Sequence, residues 1–248
     1  MNDAQLAAHL ARVAGAILQT IRASAVFTGA ALGAAGDATA NQYLVAAIRA
    51  LRPDDGILSE ESVDDRSRLK KSRVWIVDPV DGTREYGEAR SDWAVHVGLS
   101  IDGTAAAGAV ALPGFKDGVV MRSDRPAARA SYDGPPRLVV SRTRPAKEAE
   151  YVADELGGQM LPMGSAGAKA MAVVRGDADI YLHSGGQHQW DNCAPAAVAS
   201  AHGLHCSRLD GTPLLYNEAD TFLPDLLICH PEWADTVLKL VREHGMGD

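Results

Sequence analysis

The chain has 248 residues, 24 basic and 32 acidic, giving a net charge of −8. Apolar residues make up 46% and charged ones 23%, a globular composition that excludes intrinsic disorder. The acidic balance excludes a coat for polymeric nucleic acid, which needs a basic footprint, and no run approaches the roughly 18 unbroken apolar residues of a membrane span.

The length suits one large or two small domains. Leu6, Leu10, Val13, Ile17, Leu18 and Ile21 recur at three- and four-residue steps and predict an amphipathic helix over 3–22. Asp3, His9 and Arg12 fall inside that pattern, so it reads as a folded helix rather than a signal peptide. A Gly/Ala-rich connection over 28–36 follows. Asp37 then reads as the N-cap of a second helix over 38–51. Gly56 to Ser59 predicts a short strand, and the charged stretch 64–73 a solvated loop or helix. Val74 to Val77, Trp93 to Leu99, Gly108 to Leu112 and Gly118 to Met121 predict strands separated by Gly-containing turns. Ser123 to Pro136, with three prolines, is the best domain boundary.

Beyond it the pattern alternates. Strands are expected at 137–141, 159–162, 178–182, 204–208 and 225–229, and helices at 145–156, 165–175, 193–202 and 231–244. Alternation of this kind predicts an α/β lobe, whereas the first half reads as α+β. Cys193, Cys206 and Cys229 are too widely spaced for a zinc motif and read as buried thiols of a reducing cytoplasm.

The most informative stretch is Val74-Trp75-Ile76-Val77-Asp78-Pro79-Val80-Asp81-Gly82-Thr83. A hydrophobic strand runs into two carboxylates three residues apart, and Pro79 fixes the turn between them. Asp78 and Asp81 can converge there beside the Val80 carbonyl. A helix starting near Thr83 would turn free N–H groups toward the same point, where they favour a phosphate. Ser59-Glu60-Glu61 and Trp190-Asp191 are further acidic groups. All-oxygen ligation suits Mg²⁺ or Mn²⁺ rather than zinc. Each group alone has an ordinary reading: a turn, a solvated pair, a helix cap. The functional case rests on their combination and order.

At these residues a family is recognisable. Trp75 to Thr83 resembles the first signature of the inositol monophosphatase superfamily of lithium-sensitive, magnesium-dependent phosphatases, and Trp190 to Ala196 resembles its second. Ser59-Glu60-Glu61 resembles the upstream metal-binding glutamate segment. Arg84-Glu85-Tyr86, Gly164 to Met171 and Ser207 to Gly211 resemble the CysQ-type branch, actinobacterial members especially. Two features depart from the family: Leu32-Gly33-Ala34-Ala35 stands where a Pro-Val-Thr stretch is usual, and Tyr86 where a phenylalanine is usual.

The resemblance implies the layered α/β/α/β/α sandwich of inositol monophosphatases and fructose bisphosphatases. An N-terminal lobe over 1–130 would carry most metal ligands, and a C-terminal lobe over 131–248 would carry Asp191 and the substrate-selecting residues. The implied roles are side-chain metal ligation by Glu60, Asp78, Asp81 and Asp191, with the Val80 carbonyl. Glu61 would be a weaker or indirect contact. Gly82 and Thr83 would donate backbone N–H groups to phosphate, and the Thr83 hydroxyl would orient the attacking water. Asp37 would help activate that water, or else cap its helix. The cofactor would be two or three Mg²⁺ per site, with Mn²⁺ an alternative.

Lys169 lies in an otherwise apolar helix pattern. It is either a solvated position or a contact to a second phosphate, with Gly164 and Ser165 opening that helix. Arg84 is a phosphate contact or a surface charge. His183, His188 and Gly185-Gly186 read as pocket rim, and Trp75 and Trp190 as packing residues. The implied activity is a 3′(2′),5′-bisphosphate nucleotidase that removes the 3′-phosphate of 3′-phosphoadenosine 5′-phosphate to leave AMP, in sulfur assimilation, within a cytoplasmic homodimer. Hydrolysis of inositol monophosphate or fructose 1,6-bisphosphate shares both signatures. A non-catalytic metal- or nucleotide-binding regulator is the alternative from another class, opposed by the complete ligand set.

Overall fold

The computed structural model describes residues 1–127 and 132–245. The expected lobe boundary at 130/131 lies outside the described residues. Helix α1 (Asp3–Ala23) opens with Asn2 and Gln5 capping each other reciprocally. Helix α2 spans Gly29–Leu51 and absorbs the segment expected to be a connection. Leu32, Gly33, Gly36 and Asp37 are buried there, and burial against neighbouring elements outweighs the helix cost of glycine. Asp37 is therefore mid-helix, and the N-cap position belongs to Thr28.

The first sheet runs in the order β1 (Gly56–Ser59), β2 (Arg73–Asp81), β3 (Ala94–Ile101), β4 (Thr104–Leu112), β5 (Val119–Arg122). β1 is parallel to β2, and the rest form an antiparallel meander. Helix α3 (Thr83–Gly87) follows β2 directly. The charged stretch is not wholly solvated. It holds a single 3-10 turn at Ser67–Lys70, in which Arg68 is 1% exposed and pairs with Asp64 at 2.8 Å. The second sheet comprises β6 (Arg137–Ser141), β7 (Gln159–Met163), β8 (Ile180–His188), β9 (His205–Ser207) and β10 (Phe222–Cys229), in the order β7-β6-β8-β10-β9. Around it lie α4 (Lys147–Leu156), α5 (Ala166–Arg175), α6 (Gln189–Ala201) and α7 (Pro231–Gly245).

Five layers result: α1 and α2, the first sheet, α5 and α6, the second sheet, then α4 and α7. Three apolar cores glue them. One joins α1 and α2 to the first sheet through Leu10, Leu44, Trp75 and Val97. The central core packs Met171, Val173, Ala194 and Val198 between the two sheets. The third seats α4 and α7 on the second sheet. Strand β8 runs six residues beyond its expected end, and α6 starts at once behind it. Trp190 and Asp191 thus lie inside the first turn of α6 rather than before it. Cys193 and Cys229 are buried and Cys206 is half-buried, all three as free thiols. No helix among the described residues is long and apolar enough to cross a membrane.

Candidate metal centre

Strand β2 buries Val74, Trp75, Ile76 and Val77 completely and delivers Asp78 and Asp81 at its end. Its pairing with β3 slips between Asp78 and Asp81, because Pro79 has no N–H for the ladder. The Val80 N–H donates instead to Asp78 Oδ1 at 3.0 Å. Gly82 follows with φ +86°, a left-handed backbone that starts α3. From the first turn of α6 comes Asp191, whose Oδ2 accepts from the His188 N–H. One oxygen each of Asp78, Asp81 and Asp191 lies within 4.8 Å of the others. Glu60, just after β1, interacts with Asp78. Asn41 on α2 shapes that turn, accepting from Ser59 Oγ at 2.7 Å and donating to the Glu61 carbonyl at 3.1 Å.

The electrostatics show a site short of positive charge. Burial, then repulsion from Glu60, Asp81 and Asp191, drives the Asp78 pKa well above the usual carboxylate range. Desolvation and Asp191 raise Glu60 to about 7. Burial and Asp81 raise Asp191 to about 6. Such groups cannot all ionise beside one another without a cation. Asp81 is the exception. Burial alone would raise it, but His96, the Ser165 hydroxyl and the Gly167 N–H outweigh burial and bring it to about 2. All the converging donors are hard oxygens, which fits a hard divalent cation.

A cleft of about 770 Å³ lies alongside, lined by Asp37, Glu61, Thr83, Arg84 and Glu88 among others. Asp37 faces the Thr83 side chain, and its Oδ1 is buried without a hydrogen-bond partner among the described residues. Burial and the nearby Glu61 charge raise its pKa to about 7. Thr83 Oγ1 donates to the Val80 carbonyl at 3.0 Å. Arg84 is exposed on the cleft wall and pairs with Glu88 at 2.9 Å.

The expected substrate-selecting residues are engaged within the protein. The Gly164 N–H donates to Asp92 Oδ2 at 2.7 Å, and the Ser165 hydroxyl donates to Asp81. Lys169 is not solvated: it is 5% exposed, with Nζ on the Ser165 carbonyl at 2.6 Å and over the Tyr181 ring. Trp75 is fully buried, whereas Trp190 is half-buried and stacks on His188. His183 Nε2 and the Gly186 carbonyl are 3.3 Å apart, at the end of a second cavity. Sequence reasoning missed Asn41 and His96. His96 is fully buried, 3.0 Å from Asp81 and 3.0 Å from the Trp190 carbonyl. A polar residue at an inward position of a central strand was the only signal for it.

The family model of the inositol monophosphatase family matches residues 4–246. A 3′-phosphoadenosine 5′-phosphate phosphatase of Mycobacterium leprae is 49% identical, covering 98% of this chain and 94% of its own length. The 3′(2′),5′-bisphosphate nucleotidase CysQ of Escherichia coli K12 is 29% identical over 76% of this chain and 81% of its own length. Among solved structures, CysQ from Bacteroides thetaiotaomicron superposes with a TM-score of 0.79 at 23% identity, covering 92% of this chain and 97% of that one.

Proposed function

The chain belongs to the inositol monophosphatase family, and from that premise we propose that it is a Mg²⁺-dependent phosphatase that removes the 3′-phosphate of 3′-phosphoadenosine 5′-phosphate, leaving AMP. The observation that carries the substrate is the 49% identity, along nearly the whole chain, to a relative named for that nucleotide. The observation that carries the chemistry is the convergence of Asp78, Asp81 and Asp191 within 4.8 Å.

In this reading Glu60, Asp78, Asp81 and Asp191, with the Val80 carbonyl, hold two or three Mg²⁺. When bound, the ions neutralise phosphoryl oxygens and make water more acidic. The residues of the chain do the rest. The Gly82 and Thr83 N–H groups at the start of α3 receive the phosphate. Thr83 and Asp37 line the cleft on the side of the attacking water. Asp37, with its buried unpartnered oxygen facing Thr83, takes that water's proton. Water attacks phosphorus as the bond to the 3′-oxygen breaks, and that oxygen takes up a proton from solvent. No side chain becomes covalently attached. Positioning and electrostatics supply the acceleration.

Purified protein assayed for phosphate release on 3′-phosphoadenosine 5′-phosphate, inositol monophosphate and fructose 1,6-bisphosphate tests the reading. The expected result is the highest kcat/KM on the nucleotide, abolished by chelation and restored by Mg²⁺. Preference for a sugar phosphate would overturn the substrate. Full activity in chelator would overturn the metal. A homodimer remains part of the reading, tested by light scattering against the monomer mass of 26.1 kDa. So does a cytoplasmic setting in sulfur metabolism, which the free thiols support.

A further inference from the structure

His96 stands on β3, the strand beside β2, with its side chain fully buried. Its ring bridges the two halves of the metal centre. Nε2 lies 3.0 Å from Asp81 Oδ2 on β2, and Nδ1 lies 3.0 Å from the Trp190 carbonyl. Trp190 immediately precedes Asp191, so a single ring touches the backbone carrying one candidate ligand and the carboxylate of another.

Both neighbours are acceptors. A carbonyl oxygen can only accept, and Asp81 already accepts from the Ser165 hydroxyl, from the Ala166 N–H at 3.0 Å and from the Gly167 N–H at 2.6 Å. The Trp190 carbonyl pairs with Nδ1, while Nε2 sits at ion-pair distance from Asp81 without a well-aligned hydrogen bond. A second, independent feature is the space the ring occupies. A Cβ built on Gly167 would lie 2.0 Å from His96 Nε2. Only glycine at 167 lets the α5 N-terminus donate to Asp81 with the imidazole in place.

We propose that His96 is a positioning residue for the metal centre. It fixes the orientation of Asp81 and ties β2 to the first turn of α6, so that ligands from strand and helix meet at a set separation. Gly167 keeps its place open. The proposal rests on the metal-ligand reading above. Groups that orient metal ligands without touching the metal typically change metal affinity by about 10- to 100-fold when removed.

The test is Mg²⁺ and Mn²⁺ binding to metal-free protein by calorimetry, with no substrate present. Variants His96→Leu, His96→Gln, Gly167→Ala and the Leu/Ala double are compared, with the circular dichroism of each as a folding check. His96→Leu is expected to weaken metal binding about 10- to 100-fold. His96→Gln, which keeps a donor near the Nε2 position, is expected to recover most of the loss. Gly167→Ala should weaken binding on its own and add little to His96→Leu, because both act through one contact. A role in packing alone predicts additive losses and no rescue by glutamine.

Binding by His96→Leu within about twofold of the unaltered protein would overturn the proposal, as would full additivity. If the leucine variant does not fold, His96→Asn, which retains only the Trp190 side of the bridge, takes its place under the same criterion. Absence of metal binding by the unaltered chain would overturn the metal reading and this proposal together. Normal metal binding that responds to His96, in a protein inactive on the nucleotide, would sink only the substrate assignment.

Discussion

Asp81 accepts a hydroxyl and two N–H groups, and the His96 imidazole lies 3.0 Å away. Asp81→Asn would turn an amide N–H toward the donors that now reach this carboxylate while removing the charge offered to a cation. We expect kcat on the nucleotide with Mg²⁺ to fall by more than about 100-fold. The melting temperature should fall too, because donors would be left facing a donor. Unchanged turnover would remove Asp81 from the site. At this scale the sequence marked Asp78, Asp81 and Asp191 by residue type and spacing, and the structure brings them together. It could not show how Lys169 would be used. A lysine in an apolar pattern reads alike whether its amine reaches water or, as here, turns back onto the carbonyls of its own helix start. His96 carried no local motif at all; its partners come from residues 15 and 94 positions away.

At the scale of elements, α2 shows where local signals mislead. Glycine and alanine between Thr28 and Asp37 read as a connection, yet the segment is helical because α3 and α1 press close on it. A Cβ on Gly36 would sit 2.7 Å from Tyr86 Cε1 and 3.0 Å from Leu18 Cδ2. Tyr86 cannot step aside. It is fully buried, its hydroxyl donates to the Leu18 carbonyl at 2.7 Å, and its ring meets Trp93 edge-on. Gly36→Ala would gain up to about 1 kcal/mol of helix propensity and cost about 1–3 kcal/mol of overpacking. The cost matches or exceeds the gain, so chemical denaturation should show a net loss of up to about 2 kcal/mol. A stabilised variant would mean that α2 packs more loosely than the structure describes. The same element carries Asp37 one residue beyond Gly36, so the helical reading moves this carboxylate from a cap to a cleft wall.

For the molecule as a whole, the carboxylates that converge between the two sheets link its stability to pH. Asp37 and Glu60 are raised to about 7 and Asp191 to about 6, while unfolded carboxylates titrate near 4. Between roughly pH 4 and 7 these carboxylates bind more protons in the folded, metal-free chain than in the unfolded one, so their contribution to stability falls as pH rises, while His183 and His205, both lowered by burial, act the other way. His96, raised above its ordinary value, acts in the same direction as the carboxylates: its contribution is present at low pH and is lost as pH rises through its folded value. In chelator, the melting temperature should therefore be higher near pH 5.5 than near pH 8. Saturating Mg²⁺ should reverse that order, because cations replace the protons only where the carboxylates ionise. Melting curves at the two pH values, with and without Mg²⁺, check this. A metal-free protein more stable at pH 8 would contradict the shifts.

Alone, the sequence determined the family, the alternation of elements and the residue types of the site. These depend on periodicity and on short motifs, which neighbouring residues write without help from the rest of the chain. Only the tertiary structure decided that α2 starts at Gly29, that α6 starts at Gln189 with Asp191 inside its first turn, and that Lys169, Ser165 and Gly164 are turned inward. It also decided that His96 joins the site. The physical reason is common to all of these. Each depends on a close approach between segments far apart in the chain, where burial and unpaired donors and acceptors, rather than local propensity, set the lower free energy.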